Sequence, residues 1–172
     1  MRNERPKQTT VVIVTHDQRL LDRADRIVNM VGGRIVSNIR PKELLRILKV
    51  LQQFKELEGL GDLTLTRIAE RMTIERRRAG DTVVQEAAAG DRIYIISEGV
   101  AEAYVDGQRV RELNVGQYFG AISAVTHGPI RETIRATTSL ELFGLGADDY
   151  AQVMAAEKGL EERINVLLMA RQ

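Results

Sequence analysis

Arg92-Ile93-Tyr94-Ile95-Ile96, residues 100–105, Asp106-Gly107 and residues 109–113 follow one another almost without interruption, and the reading of this stretch decides the fold. Each run is short and rich in β-branched or aromatic residues, the composition of strands. Asp106-Gly107 is a dipeptide favoured in two-residue type I′ hairpins, because both central positions there need positive φ. Outward from this hairpin, Thr82–Val84, residues 131–137 and residues 140–145 repeat the pattern, punctuated by glycines. Many short strands with regular turns predict a small antiparallel β-barrel or jelly roll over residues 73–147.

On its N-terminal side the apolar period becomes helical. Leu44, Leu45, Ile47, Leu48 and Leu51 form one run, and Leu63, Leu65, Ile68, Ala69 and Met72 a second, with Gly59 and Gly61 between them. After the strands, residues 148–172 return to helical spacing through Tyr150, Val153, Met154, Leu160, Ile164, Leu167 and Leu168. This tail is expected to close the barrel or to pair with a second copy, and Asp148-Asp149 supplies negative charge to its first turn. Ahead of everything, residues 1–40 read as a short β-α-β-β appendage. Val11-Val12-Ile13-Val14 is a continuous β-branched run of the kind buried on both faces of a parallel sheet. Asp17 caps a short helix carrying Leu20, Leu21 and Ala24, and Gly32-Gly33 turns a hairpin between residues 26–30 and 34–36. Roughly forty residues bury too little surface to fold alone, so this piece reads as the end of a larger domain. The fold class expected is α+β, with domains at 1–40 and 41–172, the latter divided into helices (41–72), barrel (73–147) and closing helices (148–172).

Composition narrows the function. The chain has 172 residues, 25 Lys plus Arg against 24 Asp plus Glu, a formal net charge of +1, no Cys, no Trp and two His. A balance near zero lacks the electrostatic footprint of a protein built for the phosphate backbone. Without cysteine there is no disulfide framework, thiolate nucleophile or Cys-based zinc site, and His16 and His127 are far apart, so no metal is expected. Apolar runs fall short of the roughly 18 to 20 residues that cross a bilayer, and the polar start lacks a signal-peptide core. The expected location is cytoplasmic, at the inner face of a membrane only if a transporter holds it there.

The two helices, the glycine-punctuated strands and the closing helices, with Gly80-Asp81, Gly90-Asp91, Tyr94-Ile95-Ile96, Gly99 and Gly116-Gln117-Tyr118-Phe119-Gly120, resemble the cyclic-nucleotide-binding domain family over residues 44–172. In that family a phosphate-binding cassette of form F-G-E-x-A-x-x-x-x-x-P-R-x-A-T holds the ligand. Its Glu accepts the ribose 2′-hydroxyl, its Arg pairs with the cyclic phosphate, and backbone N–H groups complete an anion cradle. Here the stretch runs from Phe119-Gly120-Ala121 to Pro129-Ile130-Arg131-Glu132-Thr133. Pro129 and Thr133 match, but Ala121 stands where the Glu belongs and Ile130 where the Arg belongs. A loop one residue longer would make Arg131 the phosphate Arg. The ungapped alignment instead turns Arg131 away from the pocket by strand alternation, and would leave Glu132, if near, repelling a phosphate. The resemblance therefore implies a degenerate site at Gly120, Ala121, Arg131 and Thr133. Binding of cAMP or cGMP is conceivable but not the leading expectation.

A second resemblance covers residues 8–38. Thr10-Val11-Val12-Ile13-Val14-Thr15-His16-Asp17, Arg19-Leu20-Leu21, Ala24-Asp25-Arg26-Ile27 and Gly32-Gly33-Arg34-Ile35-Val36 are similar to the C-terminal end of an exporter-type ABC-transporter ATP-binding subunit. His16 takes the position of that family's switch histidine, which meets the γ-phosphate of ATP. No G-x-x-x-x-G-K-[ST] loop and no apolar run ending in Asp-Glu occurs in the chain, so ATP hydrolysis is expected only in a longer parent. The resemblances together imply a non-enzymatic regulatory or interaction domain of an ABC-transporter ATP-binding subunit, with ATPase or permease subunits, or a second copy, as partners. The alternative is a genuine cyclic-nucleotide or small-anion sensor regulating that ATPase. DNA binding is not expected, because no helix-turn-helix follows the last helix.

Three further features have plain readings. His127 is a candidate ligand contact or a solvated loop residue. Arg76-Arg77-Arg78 is a small anion patch or a solvated strand edge. The Gly-Asp pairs are turns, since they lack the acidic density of a calcium loop.

Overall fold

Gly32 and Gly33 adopt φ of 57° and 77°, the two left-handed conformations a type I′ turn requires. They join β1 (Ile27–Val31) to β2 (Arg34–Ile39) in the expected antiparallel hairpin. This computed structural model describes residues 9–15, 23–58 and 60–156. Within them the chain divides into the units Met1–Pro41 and Lys42–Gln172.

The expected first strand does not form. Val11, Val12, Ile13 and Val14 carry no strand assignment and are 65% to 96% exposed. The cause is the lack of a partner. A strand of this composition is stable when ladders flank it and layers cover both faces, and among the described residues no strand pairs with it. The expected helix after Asp17, and His16 itself, lie outside the described residues, as does the run from Leu160 to Leu168.

In the second unit α1 (Pro41–Leu51) begins on a proline, whose missing N–H has no helical partner at that position anyway. It buries Ile47 and Leu51, whereas Leu45 is 65% exposed. A short 3-10 helix (Lys55–Leu57) leads to α2 (Asp62–Arg71), which buries Leu65, Ile68 and Ala69. Eight strands follow: β3 (Thr73–Arg77), β4 (Thr82–Val84), β5 (Arg92–Glu98), β6 (Ala101–Val105), β7 (Gln108–Leu113), β8 (Tyr118–Phe119), β9 (Thr133–Ala136) and β10 (Leu140–Gly146). Between β8 and β9 lies α3 (Ala121–Thr126), and α4 (Ala147–Ala156) follows β10. The strands form two antiparallel sheets, β3-β10-β5-β8 and β4-β9-β6-β7. This is the expected jelly roll, built from two open sheets: no strand ladder among the described residues joins one to the other, so the barrel is not closed. Asp106 and Gly107, at φ of 51° and 76°, make the anticipated hairpin.

Strand β10 explains why residues 140–145 read as one apolar run. Its alternation sends Leu140 and Leu142 into the core with Ile96, Leu113, Phe119 and Ile134. Phe143 and Leu145 go to a second core beneath the helices, with Ile47, Leu65, Ile68 and Tyr150. Glu141 shares that second face and is 4% exposed. It is satisfied there: Arg76 donates to Oε2 from Nε at 3.1 Å and from a terminal nitrogen at 2.8 Å, Ser97 Oγ donates at 2.8 Å, and Arg46 of α1 completes the set. Burial alone would raise the pKa of Glu141, but the Ser97 hydroxyl and the two guanidiniums outweigh it and hold the carboxyl below its ordinary value of 4.5. The arginine run thus lies on an exposed edge strand, as the solvated-edge reading expects, and it is not a free anion patch. Arg76 serves Glu141, Arg77 pairs with Glu75 at 2.6 Å, and the Arg78 N–H donates to Asp81.

Candidate functional site

Between β8 and β9 the chain leaves the sheets to form the segment that resembles a phosphate cassette. Gly120 precedes α3 at φ 79°, and a Cβ there would stand 2.5 Å from the Arg92 carbonyl oxygen, so glycine is required by both conformation and contact. His127 ends the helix in a left-handed conformation, φ 52°. Ser123 Oγ donates to the Pro129 carbonyl at 2.9 Å, tying the helix to the returning chain. Behind this segment, facing β4, β7 and β9, is a cavity of about 560 Å³.

Most of its wall is apolar: Val84, Phe119, Ala121, Ile122, Ile130 and Ile134. Gly120, Ala121 and Arg131 of the four anticipated site residues line it. Thr133 does not, and its hydroxyl accepts the Glu86 N–H at 3.0 Å. His127 is also absent from the lining. Ala121 and Ile130 both face the cavity, and a methyl and a branched alkyl group offer neither an acceptor for a ribose hydroxyl nor a charge for a phosphate. Arg131 borders the cavity, although the residue is exposed to solvent. Strand β9 starts only at Thr133, so strict alternation does not govern the preceding residues, and Ile130, Arg131 and Glu132 all line the cavity. Arg131 is exposed and forms no ion pair among the described residues.

Arg111 is the lining residue that sequence reading missed. It makes a two-pronged contact with Glu132, Nε to Oε1 at 3.1 Å and a terminal nitrogen to Oε2 at 2.6 Å. These hydrogen bonds raise the already high pKa of the guanidinium. A β-bulge brings Arg111 there. In the β6–β7 ladder Tyr104 pairs with Arg109 and Ala103 with Arg111, leaving Val110 as an extra residue. Arg109 therefore stays on the outer face, bonded to Glu102 at 2.6 Å. Arg111 falls in the row of Ala103 and Ile134, on the cavity side. A period of two would have put both arginines on one face.

A further contact ties the wall to the helical segment: the rings of Tyr118, another lining residue, and Phe54 lie 6.0 Å apart. Among the described residues there is no group of three His, Asp or Glu suited to a metal ion. No helix there is long and apolar enough to cross a membrane.

Comparison with known proteins places this geometry. Residues 74–157 match the family model of the cyclic nucleotide-binding domain. A cAMP-dependent protein kinase regulatory subunit of Yarrowia lipolytica is 29% identical over 106 residues, covering 60% of this chain and 28% of that subunit. The chain thus spans little more than a quarter of the curated relative's length. Among solved structures, a triple-substituted regulatory subunit of a cAMP-independent protein kinase A from Trypanosoma brucei, bound to cAMP, superposes with a TM-score of 0.64. It is 25% identical and the match covers 69% of this chain and 44% of that one. The regulatory domain of Toxoplasma gondii PKA with cAMP gives 0.66 at 15% identity, over 83% and 74% of the two chains. Residues 74–157 are thus similar in sequence to the cyclic nucleotide-binding domain family, and the two-sheet jelly roll is the fold of the protein kinase A regulatory domains on which the chain superposes.

Proposed function

We propose that this domain is a regulatory interaction module whose cavity has lost the side chains that retain a cyclic nucleotide. The observation that carries the reading is the placement of Ala121 and Ile130 on the cavity wall, at the two positions where the family resemblance calls for the ribose Glu and the phosphate Arg. Loss of a charge-assisted contact of that kind costs about 1.5 to 3 kcal/mol, or roughly tenfold to a hundredfold in affinity, and the ribose contact is lost besides. On this reading the domain works through its surface, by recruiting a partner or modulating assembly. A second reading, a sensor of cyclic nucleotide or another small anion, draws support from Arg131 on the cavity lining and from relatives named as cAMP-dependent regulatory subunits.

Titration with cAMP and cGMP separates the two, with the backbone amide shifts of Gly120 and Ala121 as the readout and an Ala121→Glu, Ile130→Arg double variant alongside. A natural sequence silent at millimolar ligand beside a responding double variant supports the first reading. Micromolar binding by the natural sequence refutes it in favour of the sensor, and Arg131→Ala is then the next variant.

The resemblance of residues 8–38 to an ABC ATP-binding subunit extends the proposal: residues 1–40 would be the end of an ATPase domain, and residues 41–172 the regulatory domain attached to it. Its support is the sequence pattern around His16 and the Gly32-Gly33 hairpin. The test is the intact mass and ATPase activity of the polypeptide recovered from its own cells. A longer chain that hydrolyses ATP supports the link. A 19.3 kDa chain that co-purifies with no ATPase subunit refutes it.

A further inference from the structure

We infer that Glu132 is a specificity residue that closes this cavity to anions by occupying Arg111. The inference rests on the reading of the cavity as the ligand site of the domain. Arg111, its side chain 44% exposed, presents its guanidinium to a mainly apolar wall that Arg131 and Glu132 also border, and the bulge at Val110 is what aims it. Its planar fork matches a carboxylate or a phosphate equally well. Glu132 takes both prongs, at 3.1 and 2.6 Å, from within the same chain. An incoming anion must therefore displace a tethered carboxylate that is present at very high effective concentration, and must then sit beside the displaced negative charge. Arg131 does not compete for Glu132, because it forms no ion pair among the described residues. Glu102 and Glu112 bind Arg109 on the outer face and leave Arg111 untouched, so Glu132 is the one carboxylate paired with Arg111 among the described residues.

The probes are cAMP and inorganic phosphate, titrated by calorimetry and amide shifts. The proteins are the natural chain, Glu132→Ala and Glu132→Gln, each also in the Ala121→Glu, Ile130→Arg background, with thermal melts confirming the fold. Removal of the carboxylate is expected to tighten cAMP by about twofold to fivefold in the restored background, because the pair is partly exposed to solvent, and to bring phosphate binding into a measurable range. Adding Arg111→Ala should abolish that gain, whereas Arg131→Ala should leave most of it. A gain that survives Arg111→Ala overturns the inference, as does an unchanged affinity in folded Glu132→Ala and Glu132→Gln. If the restored background binds cAMP but is indifferent to Glu132, the inference fails while the proposed function stands. If neither background binds under any substitution, the cavity is not the ligand site and the proposed function fails with it.

Discussion

Replacing Glu141 by Gln should destabilise the second unit, by an amount that disappears in acid. The carboxylate is 4% exposed and accepts from Ser97, Arg76 and Arg46. Breaking a fully buried ion pair costs about 3 to 5 kcal/mol, but that figure overstates this case. Arg46 and Arg76 have side chains 41% and 73% exposed, so they regain water when the charge is removed. The amide also keeps one acceptor oxygen. The expected cost is about 1 to 2 kcal/mol at neutral pH, or roughly 3 to 8 °C in Tm for a domain of this size. The sign of the pH dependence follows from the lowered pKa. A carboxyl with a folded-state pKa below its unfolded value contributes its full stability above the unfolded value and loses it as pH falls through the folded one. Natural protein and Glu141→Gln should therefore differ most above the ordinary carboxyl range and converge only as pH falls through the lowered folded-state value. Urea unfolding of both proteins at several pH values from 3 to 7 measures the difference. A gap that is independent of pH, or a variant as stable as the natural protein at pH 7, refutes the account of Glu141 as a charged anchor between α1 and the sheet.

Gly120→Ala should lower stability by about 1 to 3 kcal/mol, because the new Cβ meets the Arg92 carbonyl oxygen at 2.5 Å in a left-handed conformation; a denaturant midpoint equal to that of the natural protein would count against this geometry. Ala87→Gly goes the other way. Ala87 is exposed with φ 64°, and relief of that conformation should outweigh the added unfolded-state entropy by about 0.5 kcal/mol, read as a small rise in Tm. Phe54→Ala removes the ring packed on Tyr118 and should cost about 1 to 3 kcal/mol. It should also shift the Tyr118 and Phe119 amide resonances, and a silent cavity wall would show that the contact transmits nothing.

The hairpins, helices and most strands were legible because local chemistry dictates them. Asp106-Gly107 and Gly32-Gly33 each place two left-handed residues together, and nothing distant overrides a turn of that kind. Strand β3 shows in the sequence only as a charged strand edge at Arg76-Arg77-Arg78, because Thr73-Ile74-Glu75-Arg76-Arg77 uses its charges in pairs with Glu75 and Glu141 rather than showing an apolar alternation. Residues 11–14 misled for the opposite reason: their composition announces a strand, but strand formation depends on neighbours that composition cannot supply. In the site, the loss of the Glu and Arg side chains could be read directly at Ala121 and Ile130. The ion pair could not. The facing of Arg111 depends on where the bulge falls in the β6–β7 ladder. That of Arg131 and Glu132 depends on where β9 begins. Neither leaves a mark in hydropathy.

The bulge also separates chain length from side-chain facing. With Val110 standing outside the ladder, Arg109 already pairs with Tyr104 and Arg111 with Ala103. Loss of the Val110 codon would leave those pairings in place and keep one arginine outside and the other within. Val110 is thus a spare residue in the frame of the sheet. When homologous sequences are aligned through this hairpin, a one-residue gap at that point changes the count of residues but not the wall of the cavity. Residues that face the ligand in two such chains correspond by their cross-strand partners, not by their distance from the turn.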